Sequence, residues 1–174
     1  MRVEQKYWVT ADWHLGHQNI IRFCNRPENF EELIFHNLFN LVLPSDVLIH
    51  LGDVALKGAE RMHRQYVMPI SCKKWLIRGN HDAKSDTWYL NHGWDFVCKA
   101  LVISKYGKQI AFSHEPLNDF GYDLNIHGHI HNNPGYTPGD KQVIVSIEDN
   151  KYKPILLEAL AKEGDANHNS QTSN

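Results

Sequence analysis

Five short polar clusters carry side chains that bind hard divalent cations. In chain order they are Asp12-Trp13-His14, Gly52-Asp53, Gly79-Asn80-His81-Asp82, Ser113-His114 and Gly128-His129-Ile130-His131. Imidazole and carboxylate together suit Mn, Fe, Zn, Ni or Co, and the carboxamide oxygen of Asn80 adds a neutral hard ligand. Asp12 and His14 are two residues apart at the end of a strand-like segment, so extended chain turns both to one face; His129 and His131 repeat the spacing. Asp53 and Asn80 each follow a glycine, which lets the backbone turn sharply off a strand. Two divalent ions in one pocket repel each other. An anionic bridge between them is needed, and a carboxylate shared by ions about 3.5–4 Å apart supplies it. A hydroxide between the ions is a second bridge and also a nucleophile, because a divalent metal lowers the pKa of its water toward about 7.

The elements that must position these clusters are legible in the hydrophobic pattern. Tyr7 to Ala11, Asp46 to Leu51 and Lys74 to Arg78 read as buried strands, each running directly into a cluster. Residues 17 to 25, Glu28 to Leu43, Ala59 to Val67 and 85 to 92 read as helices between them. The later chain is mostly strands. Phe96 to Ser104 and Gln109 to Ser113 form a hairpin over Tyr106-Gly107-Lys108; Asp123 to His127, Gln142 to Ile147 and Pro154 to Ala159 follow. This pattern predicts an α/β layered sandwich with a mixed central β-sheet flanked by helices, and a dinuclear metal site at the strand ends. Residues 1–161 are expected to form a single domain, and the polar stretch 162–174 a disordered tail.

Composition narrows the classes. The chain has 174 residues, a net charge of −2 and twelve histidines, so it has no global basic field for nucleic acid. Lys73, Lys74, Arg61 and Arg64 give only a modest basic patch. Three scattered cysteines without a CxxC pair, and no leader-like or membrane-spanning stretch, point to a reducing cytoplasm and no membrane partner. Oligomeric state is not readable. His50, inside an apolar strand, reads as structural. His127 leans toward a supporting role behind the metal ligands. His36, His63 and His92 are expected to be exposed on helices, and the tryptophans to pack in the core.

The ordered motifs TADWH, LGD, RGNHD, SHEP and HGHIH resemble the calcineurin-like metallophosphoesterase superfamily over about residues 8 to 132. The resemblance implies roles. Asp12, His14 and His131 would hold one metal, Asn80, His114 and His129 the other, and Asp53 would bridge them. His81 would act as general acid or stabiliser beside the phosphate, with Asp82 orienting it. Arg78 would fork onto phosphate oxygens or form an ion pair at the strand end. His17 would face substrate or solvent. Two divalent ions are implied, manganese foremost, with Fe, Zn, Ni, Co or Mg as alternatives. The implied substrate is a phosphodiester or phosphomonoester, small or nucleotide-like. The alternatives are a nuclease acting on DNA or RNA, and a metal-binding scaffold without catalysis.

Overall fold

The computed structural model describes residues 4–118 and 121–171, with side chains described as far as Gly164. In chain order the elements are β1 (Tyr7–Thr10), α1 (Ile20–Phe23), α2 (Phe30–Leu41), β2 (Val47–His50) and α3 (Ala59–Met62), which continues as a π-helical turn, His63–Val67. Next come β3 (Lys73–Ile77), α4 (Asp86–Asn91), β4 (Phe96–Cys98), β5 (Ala100–Lys105), β6 (Lys108–Ser113), β7 (Leu124–His127), β8 (Gln142–Ile144), β9 (Ile155–Leu156) and α5 (Leu157–Gln171).

Two mixed sheets, rather than one, form the centre. The first has the order β4-β3-β2-β1-β9 and the second β5-β6-β7-β8. In the first, β1 to β4 are parallel and β9 runs antiparallel to β1. In the second, the β5–β6 hairpin is antiparallel, and β6, β7 and β8 are parallel.

Period-two alternation sorts the side chains. Val9, Ala11, Val47, Ile49, Leu51 and Ile77 meet Ile110, Phe112, Leu124, Ile126 and Val143 from the second sheet in one core. Trp8, Leu48 and Leu76 point the other way, into a second core with Ile20, Phe30, Ile34, Leu38 and Met62 from the helices. The first sheet is thus covered on both faces, which explains why β2 is buried throughout.

The single strand expected over residues 96 to 104 divides into β4 and β5. The chain leaves one sheet and enters the other at Lys99. The hairpin turn is tighter than expected: Tyr106 and Gly107 both have positive φ, 52° and 74°, the two-residue geometry that matches strand twist. The strand expected at Pro154 to Ala159 shrinks to two residues. Helix α5 follows and runs through Gln171, across most of the stretch expected to be a disordered tail; residues 172–174 lie outside the described part. The polar composition disguised this helix, and Gly164 adds to the disguise, because an interior glycine costs about 1 kcal/mol of helix propensity. Its missing side chain is what the packing uses: a Cβ there would lie 2.6 Å from Leu124 Cδ1.

His63 is buried, contrary to the expectation of an exposed helical position. It packs against Trp88, Tyr89 and Trp94, with Nδ1 donating 2.8 Å to the Ala59 carbonyl. Cys24, Cys72 and Cys98 are all unpaired thiols, the first two buried.

Phe112 is fully buried where the two sheets face each other. Phe112→Ala should lower stability by about 3–5 kcal/mol in urea unfolding. A loss below about 1 kcal/mol would mean that the sheets do not depend on this contact.

Candidate metal centre

The loops that leave β1 and β2 are bonded to each other before any cation is considered. Asp12 N–H donates to the Gly52 carbonyl at 2.9 Å, His14 N–H to the Asp53 carbonyl at 2.9 Å, and Leu15 N–H to the Val54 carbonyl at 3.0 Å. Parallel pairing thus continues past the strands, out to a bridge between Leu15 and Ala55. The price is backbone strain. Asp12, His14, Asp53, His129 and His131 all have φ between 52° and 69°, the left-handed region that non-glycine residues rarely occupy. Strain of this kind persists only where surrounding contacts over-determine it.

Two glycines make the close approaches possible. A Cβ on Gly79 would sit 2.2 Å from Asp53 Oδ1, and a Cβ on Gly128 would sit 2.6 Å from Asp12 Oδ2. The third and fifth clusters can therefore lie directly on the two carboxylates. His81 N–H donates to Asp53 Oδ1 at 2.9 Å, and His129 N–H donates to Asp12 Oδ2 at 2.9 Å.

Six of the expected donor residues gather into two groups. Asp12, His14 and His131 form one, and Asp53, His114 and His129 the other, with the ligand atoms in each within 4.8 Å of one another. In the second group His114 Nε2 lies 2.9 Å from Asn80 Oδ1, 3.0 Å from His129 Nδ1 and 3.4 Å from Asp53 Oδ2. Asp53 Oδ2 also lies 3.6 Å from His14 Nε2, so this one carboxylate reaches both groups. All seven expected metal-ligand positions come together. Their chemistry fits a divalent cation: Asp12 Oδ1 and both ring nitrogens of His14 are buried without a hydrogen-bond partner.

Burial sets the charges. It lifts the Asp12 carboxyl to about 7, and lowers the His14 imidazole to about 3, leaving a neutral ring with a free lone pair. Burial would raise Asp53 as well. A hydrogen bond from His114 and its charge outweigh that and hold the carboxyl near 2. Burial likewise opposes charge on His114, but Asp53 and Asp12 raise it to about 9. His131 is pushed up to about 10, against burial, by hydrogen bonds to Cys24 and Glu148 and by the charge of Asp12.

Arg26 and Glu148 support the site from below, and no local motif announced either. Arg26 is buried and donates to the Asp12 and Trp13 carbonyls at 2.7 and 2.9 Å, and to Glu148 Oε1 at 2.6 Å. Glu148 Oε1 in turn lies 3.1 Å from His131 Nδ1. A carboxylate on the far nitrogen of a ligating imidazole fixes its tautomer and its aim. The only sequence clue was that Arg26 and Glu148 are charges beside apolar segments, which marks many surface residues too. The carbonyl of Leu51 does the same for His114, taking Nδ1–H at 2.7 Å.

Asp82 does not orient His81 as expected. Its carboxylate accepts three backbone N–H groups, from Asp53 at 2.8 Å, Gly79 at 2.9 Å and Val54 at 3.2 Å. It locks the Asp53 loop to the Gly79 loop, because buried amides at these strained turns need an acceptor. The Arg78 guanidinium is engaged at the strand end, donating to the Asp82 carbonyl through Nε and Nη2 and to Asp86 at 2.7 Å. The ion-pair alternative holds for it. His81 stands at the mouth: its side chain is 42% exposed, with Nε2 3.9 Å from Asp53 Oδ2. His17 is half-buried, its ring 5.6 Å from that of His14. His50 is structural, accepting from Gly52 N–H at 3.1 Å and packing edge-on to Trp13. His127 has Nδ1 3.0 Å from the Gly128 carbonyl.

Glu148→Gln should weaken metal affinity about 10- to 100-fold, measured by calorimetry on chelated protein; wild-type affinity would remove Glu148 from the support of His131. A pH effect follows as well. The folded values of His114 and His131 lie above the ordinary 6.5, so the stability they contribute is complete below that pH and is lost as pH climbs through about 9 and 10. Protein held in EDTA should therefore lose thermal stability steadily above about pH 7. A melting temperature that stays level to pH 10 would contradict these proton affinities.

Known proteins bear on this geometry. The sequence profile of the calcineurin-like phosphoesterase family matches residues 5–162. The uncharacterized protein MJ1445 of Methanocaldococcus jannaschii is 34% identical over 173 residues, covering 91% of this chain and 90% of its own length. Among solved structures, the protein of unknown function AQ665 from Aquifex aeolicus superposes with a TM-score of 0.76 at 27% identity, over 91% of this chain and 99% of that one. A novel archaeal phosphodiesterase shares the fold at a TM-score of 0.51 and 14% identity, over 82% of each chain. With a profile match across nearly the whole described chain and a relative this similar over 90% of its length, the chain belongs to the calcineurin-like phosphoesterase family.

Proposed function

We propose that the protein hydrolyses phosphodiester or phosphomonoester bonds of a small or nucleotide-like substrate, using two divalent cations, manganese foremost. The observation that carries this reading is the position of Asp53, whose Oδ2 lies within 3.6 Å of His14 Nε2 and 3.4 Å of His114 Nε2, one from each donor group. Asp12, His14 and His131 would hold one cation and Asn80, His114 and His129 the other, with Asp53 between. Bound there, divalent cations supply Lewis acidity that draws charge from phosphate oxygens and eases deprotonation of water.

The rest is the work of this chain. His81 has its backbone anchored on Asp53 and its ring at the mouth, edge-on to His14 at 5.6 Å, placed to give a proton to a departing alkoxide or to hold a phosphate oxygen. Arg78, Asn80 and His114 line a cavity of about 280 Å³ with Lys99 and Leu117, beside the second donor group. Arg78 is better read as holding the Gly79 loop in shape than as a phosphate fork, because Asp82 and Asp86 occupy most of its donors. The Asp82 carboxylate supports Asp53 and has no proton-transfer role in this scheme.

The nuclease reading loses ground. Lys74 is buried with Nζ donating to the Ile70 and Cys72 carbonyls, and Arg64 pairs with Glu60 at 3.0 Å. The basic patch thereby shrinks to Lys73 and Arg61.

The test is hydrolysis of p-nitrophenyl phosphate and bis-p-nitrophenyl phosphate by chelated protein with Mn, Ni, Mg or Zn restored. Turnover should vanish on chelation and return with metal, and Asp53→Asn should abolish it with the circular dichroism unchanged. His81→Ala should lower kcat by about 10²–10⁴-fold while sparing metal content. Turnover indifferent to EDTA would sink the mechanism, and loss of a metal from His81→Ala would make that residue a ligand instead.

A further inference from the structure

Three of the tryptophan side chains are hidden. Trp8, Trp13 and Trp94 are buried, and Trp13 spends its N–H on Thr10 Oγ1 at 2.9 Å. Phe23 stands out in water, as Phe39, Phe96 and Tyr106 do to a lesser degree. At 74% exposure it is the most exposed large hydrophobic side chain among the described residues. A single exposed phenyl ring needs no explanation by itself. The position of this one does.

Its ring stands edge-on to His17, 6.2 Å between centroids at 70°, and His17 lies 5.6 Å from His14. A line of rings thus leads from the metal centre out to Phe23. The segment that presents it is not a free loop. Three residues on, Arg26 is bonded to the Asp12 and Trp13 carbonyls and to Glu148. The neighbouring Cys24 carbonyl accepts from Asn132 Nδ2 at 3.3 Å, next to His131. Asn25, at φ 52°, makes the bend between these anchors. The same contacts that hold Asp12 and His131 therefore fix the Phe23 backbone at the rim.

A flat apolar ring, exposed in water on an anchored backbone beside a phosphate-handling site, is suited to stacking a flat partner. Every nucleobase offers a π-face, and aromatic stacking on it contributes about 10- to 100-fold in affinity. We infer that Phe23, backed by His17, is a specificity-determining platform for an unsaturated ring, a nucleobase or an aryl group, carried on the substrate's phosphate ester. The inference rests on the phosphoesterase reading of the adjoining site and narrows its substrate to nucleotide-like or aryl esters.

The experiment compares two ligands that differ only by the base: adenosine 5′-monophosphate and ribose 5-phosphate. Each is measured as a competitive inhibitor of bis-p-nitrophenyl phosphate hydrolysis by manganese-reconstituted full-length protein. Wild type should bind the nucleotide about tenfold or more tightly over the sugar phosphate. Phe23→Ala should erase that preference, and Phe23→Trp should restore it. Equal inhibition by the two ligands in wild type, or a preference that survives Phe23→Ala, overturns the inference. So does a Phe23→Ala protein that keeps the preference but changes its elution volume, which would make Phe23 a contact between copies of the chain. Failure of wild type to hydrolyse any ester would count against the phosphoesterase reading instead. Direct calorimetric titration of the same two ligands would then still decide the platform.

Discussion

Two carboxylates taken out of water, Asp12 and Asp53, set the terms for everything around them. A buried carboxylate without compensation is among the most costly groups a fold can contain. Here the compensation is layered: backbone N–H groups from His81 and His129 reach one oxygen of each, and imidazoles crowd the other. The layers come from both sheets. Asp12 and Asp53 leave β1 and β2, whereas His114 and His129 follow β6 and β7. Satisfying the carboxylates and docking the sheets are therefore one event in the folded state. The core of Val9, Ile49, Phe112 and Ile126 beneath them supplies the apolar drive for it.

That constraint explains the unusual backbone. Five of the candidate ligand residues sit in the left-handed region, and glycines occupy the two positions pressed against the carboxylates, Gly79 and Gly128. Neither strain nor tight contact would survive in a loose loop. Asp82, Arg78, Arg26 and Glu148 supply the rigidity, each bonded to main chain or to a ligand and none needed as a ligand itself in this scheme. The charges follow from the same contacts: against burial, Asp53 and Asp12 raise His114, and Cys24, Glu148 and Asp12 raise His131.

How much of this could be read beforehand depended on whether the determining contacts were local. Strands β1, β2 and β3 were legible because each is a short apolar run ending in a glycine or a polar cluster, and the candidate ligands stand at those ends. Side-chain identity and spacing thus reached all seven positions that converge. Adjacency misled at Asp82, which follows His81 in the chain but serves amides 28 and 29 residues away. Arg26 and Glu148 are separated by 122 residues, and nothing local marks either as a partner of the other. The division of one strand at Lys99, and the helix beyond Leu156, turn on which sheet or neighbour receives the chain, a tertiary preference that propensity does not contain.

The passage of the chain from one sheet to the other at Lys99 has a consequence for the protein's lifetime. Everything before that residue carries the aspartates; everything after carries His114, His129 and His131. A ligand that grips both halves binds only when they are docked, so it lowers the free energy of the native state and not of any species with the sheets apart. Opening of the sandwich, and with it exposure of the inner core to proteases, becomes dependent on the concentration of free cation. A divalent cation held by these residues would then also set how long each molecule persists.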